Sequence, residues 1–167
     1  DAGSLRVGLT PFVTRTALGE AFGWFRQRYR NVQLELVDGL VHRVLPRVRD
    51  GSVDLAVTTG DADEVLDDAF QVERIQRMRQ RVAVRRGHPV LDDPSAQALA
   101  GYEWIVTRPI AGDRQAAMFA AANLPVPQRV IVCEGLQAMV LLRNSDGVTI
   151  MLERLRTLPD MHDFVAV

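Results

Sequence analysis

The sequence predicts an α/β fold made of two small lobes, and three observations carry that prediction. A strand–helix–strand layout is written twice, from Leu5–Pro11 to Gly51–Thr59 and again from Glu103–Pro109 to Asp146–Met151. In each copy an apolar strand runs into Thr-Pro or Arg-Pro and then into a helical pattern. The copies are joined by Gln80–Pro89, which reads as a hinge. Two such lobes facing one another make a cleft for a small molecule.

Taken in order, Leu5–Leu9 is a short apolar strand ended by Thr10-Pro11. From Val13 to Arg30 the pattern is helical, with Leu18, Ala21, Phe22, Phe25 and Tyr29 spaced by three and four residues as one apolar stripe. Asn31 stops it, and Val32–Val37 alternates as a half-buried strand does. After the Asp38-Gly39 turn, Leu40, Val41, Val44, Leu45 and Val48 form a second helical stripe closed by Asp50-Gly51. Pro46 inside it predicts a kink or a short helix, because proline removes a donor and crowds the carbonyl four residues earlier. Val53–Val57 is a continuous apolar run of the buried parallel type. The β-α-β-α-β order implies a parallel sheet.

The second copy reads similarly. Ala96–Ala100 is a short helix ending at Gly101, and Glu103–Thr107 is a strand. Asp113 reads as the cap of a helix over Arg114–Ala122 that stops at Asn123. A strand at Arg129–Cys133, a helix at Leu136–Arg143, a turn at Ser145–Gly147 and a strand at Val148–Leu152 follow. Leu155 and Leu158 belong to a last short helix, and Asp163–Val167 reads as a strand. The expected division is 1–87 for the first lobe, 88–162 for the second, and 163–167 as a strand returning to the first.

Composition narrows the function. The chain has 167 residues, 47% hydrophobic and 25% charged, which is ordinary for a globular protein with a core of its own. A net charge of −1 gives no electrostatic case for nucleic-acid binding by these residues. No apolar run approaches the roughly 18 residues of a membrane span, and no signal peptide is visible. Residues 60–69 are acidic and 74–86 arginine-rich. Both read as solvated stretches, since neither carries the interleaved aromatics of a single-strand binding surface. A reducing cytoplasm fits the single cysteine, Cys133. The first four residues look like a linker end, and both termini look like cuts.

No catalytic set stands out. His42, His88 and His162 are far apart and lack ligand spacing, so no metal or other cofactor is expected. Cys133 reads as a small apolar strand residue, and Ser52 and Ser145 as turn residues. What remains is a binding geometry, because ligands of open parallel sheets sit beyond the carboxyl ends of strands, near helix N-termini. In the first copy those positions are Thr10, Pro11, Phe12, Val13, Gly39, Leu40, Val41, Thr58 and Thr59. In the second they are Arg108, Pro109 and Ile110, with Glu134, Gly135 and Leu136. Backbone N–H groups there suit a carboxylate, with Arg108 available as a clamp. Each polar residue also reads as plain turn or cap chemistry.

Five segments in order resemble the effector-binding domain of LysR-type transcriptional regulators. Leu5–Pro11 is similar to that domain's opening strand. Phe25 and Tyr29–Leu36 resemble its F-x-x-x-Y-P-x-V-x-L-x-L segment, with Arg30-Asn31 where His/Tyr-Pro is usual. Leu45 to Val57 resembles L-x-x-G-x-L/I-D-x-A-I/V, and Val82–Pro89 resembles the hinge ending in His-Pro. Gln137–Leu142 with Asp146–Ile150 resembles V-x-x-G-x-G-I.

The resemblance implies two Rossmann-like lobes of the type 2 periplasmic-binding-protein kind, with a small effector between them. It also implies a homodimer or homotetramer, with DNA bound only through a winged helix-turn-helix domain outside this chain. The family's domain continues for a strand and helix beyond Val167, so the sequence reads as an excised or incomplete domain. Within the dimer, the resemblance sets Ala17–Tyr29 against Arg114–Ala122 of the partner, with Trp24 at the interface. Three departures stand out: Leu40 and Val41 where Ser or Thr is common, Phe12 where a small polar residue is common, and Glu153 where Pro is usual. The first two predict a greasier effector, aromatic or a carboxylate. Competing readings are a transporter's solute-binding protein and an enzyme on a doubly wound fold, the latter disfavoured by the missing catalytic set.

Overall fold

The computed structural model describes residues 3–60, 69–108, 110 and 113–167, and the backbone alone at Asp113, Arg114, Gln115 and Met118. Two compact units divide between Gln76 and Arg77.

The first unit holds a three-stranded sheet in the order β2-β1-β3, where β1 is Gly3–Leu9, β2 Val32–Asp38 and β3 Leu55–Val57. Both pairings are parallel, as the β-α-β order requires, and Val7 lies opposite Leu36 on one side and Leu55 on the other. Between β1 and β2 the expected single helix is two, α1 at Pro11–Thr16 and α2 at Leu18–Arg28. They break at Ala17, whose φ of −132° leaves the helical region. The Thr16 hydroxyl donates to the Phe12 carbonyl at 2.8 Å, a back-bond of the kind that bends helices just where this one is interrupted. The stripe along α2 is not a core face, because α2 has no buried residue at all.

Between β2 and β3 lies α3, Val41–Arg49, which buries Val41 and Val44. It stays a single nine-residue helix through Pro46, and Gly51 follows its C-cap with the positive φ of 75° that favours glycine there. The fit of α3 on the sheet is close, since a Cβ at Gly8 would overlap Val44 Cγ1. From the central strand β1, Arg6 is bidentate to Asp54, with Nη2 to Oδ1 at 2.7 Å and Nε to Oδ2 at 3.2 Å. Ser52 is the turn residue expected, its N–H donating to Asp50 Oδ1 at 2.8 Å.

The second unit holds a five-stranded sheet in the order β6-β5-β7-β4-β8. Here β4 is Gln80–Arg85, β5 Glu103–Val106, β6 Val130–Val132, β7 Gly147–Leu152 and β8 Phe164–Ala166. Strand β5 is parallel to β6 and β7, whereas β4 is antiparallel to β7 and β8. Its helices are α4 (Ala96–Ala100, capped by Ser95), α5 (Asp113–Ala121) and α6 (Gly135–Asn144). Asn123 beyond α5 takes a φ of 54°, in keeping with its role as a stop. The cap expected of the Asp113 side chain falls outside the described residues. Two short 3-10 turns, Glu153–Thr157 and Pro159–Met161, stand where a last helix was expected.

Two expected boundaries change. The segment read as a hinge is mostly β4, whose Ala83 and Val84 are fully buried in the second unit's sheet, so the division falls before it rather than at 87. The last strand does not return to the first unit, because Phe164 pairs with Arg85 and Ala166 with Ala83. His88 is a buried core residue: its Nδ1 accepts from Val90 N–H at 2.9 Å and the ring meets Tyr102 edge-on at 4.6 Å, while its Nε2 is buried without a hydrogen-bond partner among the described residues. Two apolar clusters fill this unit. One gathers Val84, Leu99, Trp104, Phe119 and Val148; the other gathers Ala83, Ile105, Leu142, Met151, Met161 and Phe164.

Candidate functional site

In the first unit the three predicted loops meet. Thr10 N–H donates to the Val57 carbonyl at 3.2 Å and Gly39 N–H to the Leu9 carbonyl at 3.1 Å. These bonds extend the sheet one residue past its strands and fasten the loops after β1, β2 and β3 to one rim. The Thr59 hydroxyl lies 3.5 Å from that of Thr10, a long contact between the first loop and the third. Pro11 occupies the first helical turn of α1, where its missing N–H costs nothing. Leu40 is the N-cap of α3 and Thr10 that of α1, and neither helix start receives a side-chain cap. An uncapped start leaves N–H groups for another acceptor.

Burial separates the predicted residues. Thr10 and Gly39 are buried, and so are Phe12 and Val41, two of the three residues on which the greasier-effector expectation rests. Pro11, Val13, Leu40, Thr58 and Thr59 are half-buried and keep some access. The accessible part of this rim is therefore apolar and hydroxyl in character, without a fixed charge among the predicted residues.

In the second unit Cys133 N–H donates to the Val106 carbonyl at 3.0 Å, which brings the loop after β5 beside the loop after β6. Glu134 is the N-cap of α6 without a side-chain bond to it, and Gly135 opens the helix with a φ of 52°. A side chain at Gly135 would be strained by that backbone. Arg108 is exposed, Glu134 half-buried, Ile110 packs against the first apolar cluster, and Pro109 lies outside the described residues. Leu136 is 78% exposed. Burial, together with the Glu134 charge, raises the Cys133 thiol above its ordinary pKa, which disfavours the reactive thiolate.

Sequence reasoning did not find the bonds that fasten the rims, since they run between backbone atoms and leave no mark on residue type. Asp54 is committed to Arg6, whose hydrogen bonds hold the carboxyl below the usual range. A surface depression of about 520 Å³ lined by Gln27, Arg28, Tyr29, Arg30 and Asn31 shares no residue with either rim. Among the described residues no group of His, Cys, Asp or Glu could hold a metal ion, and no helix is long and apolar enough to cross a membrane.

These two α/β units, with strand-end loops tied into rims, have the architecture of a ligand-binding regulatory domain of the two-lobe, periplasmic-binding-protein kind. The chain matches the family model described as LysR substrate binding domain over residues 1–165, and it belongs to that family. The effector binding domain of QuiR in complex with shikimate aligns with a TM-score of 0.75 at 17% identity, covering 100% of this chain and 80% of that one. The BenM effector binding domain with benzoate aligns at a TM-score of 0.66 and 18% identity, covering 99% and 76%. An uncharacterized HTH-type transcriptional regulator of Bacillus subtilis, YwbI, is 30% identical over 95 residues, 57% of this chain and 31% of that protein. The match thus spans about a third of that regulator's length.

Proposed function

We propose that this chain is the effector-sensing domain of a LysR-type transcriptional regulator. It binds a small molecule at the strand-end rims and thereby controls DNA binding by a separate winged helix-turn-helix domain of a cytoplasmic protein. The observation that carries the reading is the family match along nearly the whole chain, residues 1–165. It favours this reading over a transporter's solute-binding protein. The role is regulatory rather than catalytic, in keeping with the family.

The effector is a small carboxylate, aromatic or alicyclic. The solved relatives are complexes with shikimate and benzoate, and the uncapped starts of α3 and α6 suit a carboxylate. Arg108 is assigned the bidentate contact and Thr58 and Thr59 the hydroxyl contacts. Leu40, Pro11 and Val13 supply the apolar wall, and the buried Phe12 and Val41 back it from behind. Two copies associate through α2, whose Trp24 is 61% exposed.

A thermal-shift screen of ring carboxylates, with benzoate and shikimate included, tests the reading. A ligand at a hundred times its Kd stabilises by about 2.7 kcal/mol, a shift of several degrees. Arg108→Ala abolishes the shift, measured against that variant's own unliganded melting temperature. A screen in which no ring carboxylate moves the melting temperature sinks the assignment.

A further inference from the structure

The first unit carries a concavity at the end of its sheet away from the rim. It is the depression of about 520 Å³ lined by Gln27, Arg28, Tyr29, Arg30 and Asn31, where the end of α2 turns into the start of β2. Strands β1 and β2 run parallel, with Gly3 opposite Val32 and Leu9 opposite Asp38. The turn therefore lies at the amino ends of the strands and the rim beyond their carboxyl ends, roughly 20 Å away at the usual rise of a strand.

The chemistry of the lining is one-sided. It brings two guanidinium groups, a phenol and two side-chain amides to one place, and no carboxylate. The structural work expected of arginines at a helix end is done by other groups. The Tyr29 N–H closes α2 on the Phe25 carbonyl at 2.8 Å, and it is Arg26 that reaches across the turn to the Val32 carbonyl, at 2.6 Å. Among the described residues no carboxylate forms a salt bridge with Arg28 or Arg30, and no hydrogen bond engages the side chain of Gln27 or Asn31. Two of the lining groups are nonetheless steered. The Arg28 guanidinium lies over the Trp24 ring at 6.0 Å, and the Tyr29 ring contacts Phe25 at 5.2 Å and Trp24 at 6.3 Å. Groups held beforehand lose less freedom when a ligand arrives.

We infer that this turn is a second ligand site, for a small molecule that carries a phosphate group. A lining of donors calls for a ligand rich in acceptors, and guanidinium groups take phosphate oxygens in pairs. The carboxyl end of α2 opposes an anion with roughly half an elementary charge, which the two full charges of Arg28 and Arg30 outweigh. An oxyanion between those arginines also relieves their mutual repulsion. The volume lies within the range of about 300–1,000 Å³ that accommodates whole small molecules, so there is room for an organic part against the Tyr29 ring. The site shares no residue with the rims and stands apart from the sensor reading.

Titration of the isotopically labelled full chain with phenyl phosphate, followed by NMR at fixed ionic strength, tests this. The backbone amides of 27–32 and the Nε–H signals of Arg28 and Arg30 are expected to shift and to saturate in the millimolar range, while those of Thr10, Gly39 and Thr58 stay in place. Benzoate at the same concentrations leaves the 27–32 signals unmoved. Arg28→Gln and Arg30→Gln, both at exposed positions, each weaken phenyl phosphate binding about tenfold or more, as loss of a charged hydrogen bond does. The unchanged spectrum of the second unit shows that each variant is folded. Shifts that grow linearly without saturating mark ordinary solvated arginines and overturn the inference. So does an affinity indifferent to both substitutions, or benzoate binding the same turn equally well. A failure here leaves the thermal-shift screen of ring carboxylates untouched, since that screen reads other residues.

Discussion

The two units use similar elements to different degrees of closure. In the second, five strands carry helices whose apolar faces merge into two clusters, with Trp104 and Phe119 meeting edge-on at 4.9 Å. In the first, three strands carry α3 on one face, where Gly8 meets Val44, while the opposite set along the strands is apolar apart from Gly3 and Asp38 at its ends: Leu5, Val7, Leu9, Val32, Leu34, Leu36, Leu55 and Val57. Within that set Leu36 and Leu55 are each 44% exposed. Side chains alternate across a sheet, so this is one continuous surface and not a scatter of residues. A doubled sequence layout therefore does not imply doubled burial; among the described residues the second unit buries more apolar side chains than the first.

The largest test of that contrast is in the second unit's core. Phe119→Ala is expected to cost about 3–5 kcal/mol, as full truncation of a buried aromatic does, read as a lowered urea midpoint. Limited trypsin digestion belongs beside it. Cleavage is expected first in the exposed stretch Arg74–Arg77, leaving a resistant fragment that ends at Val167 and a first unit that is degraded. Equal survival of both fragments would remove the contrast.

Of intermediate size are the two close glycines. Gly147→Ala brings its Cβ to 2.6 Å from Ile105 Cδ1, and Gly8→Ala brings its own onto Val44. Overpacking of this kind costs about 1–3 kcal/mol. The prediction is that Gly8→Ala loosens the first unit alone, seen as faster amide exchange in β1–β3 with β5 and β7 unchanged.

The acid response should be smaller and confined to the first unit. Arg6 hydrogen bonds hold the Asp54 carboxyl below its unfolded value, and the Ser52 N–H does the same for Asp50. A depressed carboxylate contributes stability that is complete above the unfolded pKa of about 3.9 and is lost as pH falls through the lower folded value. Asp54→Asn is therefore expected to flatten the melting curve's pH dependence below about pH 4. Smallest of all, Cys133 should react with iodoacetamide more slowly than free cysteine at neutral pH, because burial raises its thiol.

Much of this architecture was legible in the residues. The parallel β1–β2 and β1–β3 pairings follow from apolar runs separated by helical stripes, and Gly51 and Asn123 mark helix ends through backbone conformations few residues adopt. What was not legible has a common cause. Periodicity reports that α2 has an apolar side, but not whether anything within the same unit faces it. The pattern of Gln80–Arg85 reads equally as a hinge or as a strand, and only its pairing with Thr149–Leu152 decides. At the rims, the sequence located the loops, while the burial of Phe12 and Val41 depends on packing that residue type does not encode.

The chain's two tryptophans fall one to each unit and in opposite surroundings. Trp104 is 1% exposed, with its indole N–H donating to the Leu99 carbonyl at 3.0 Å, whereas Trp24 stands 61% in water. The protein thus carries two optical labels of its own. Trp104 should emit to the blue and resist iodide quenching until the second unit melts, while Trp24 of the dissociated chain emits to the red and is quenched from the start. Replacing either with phenylalanine would leave a single-channel readout for the other unit, without a dye.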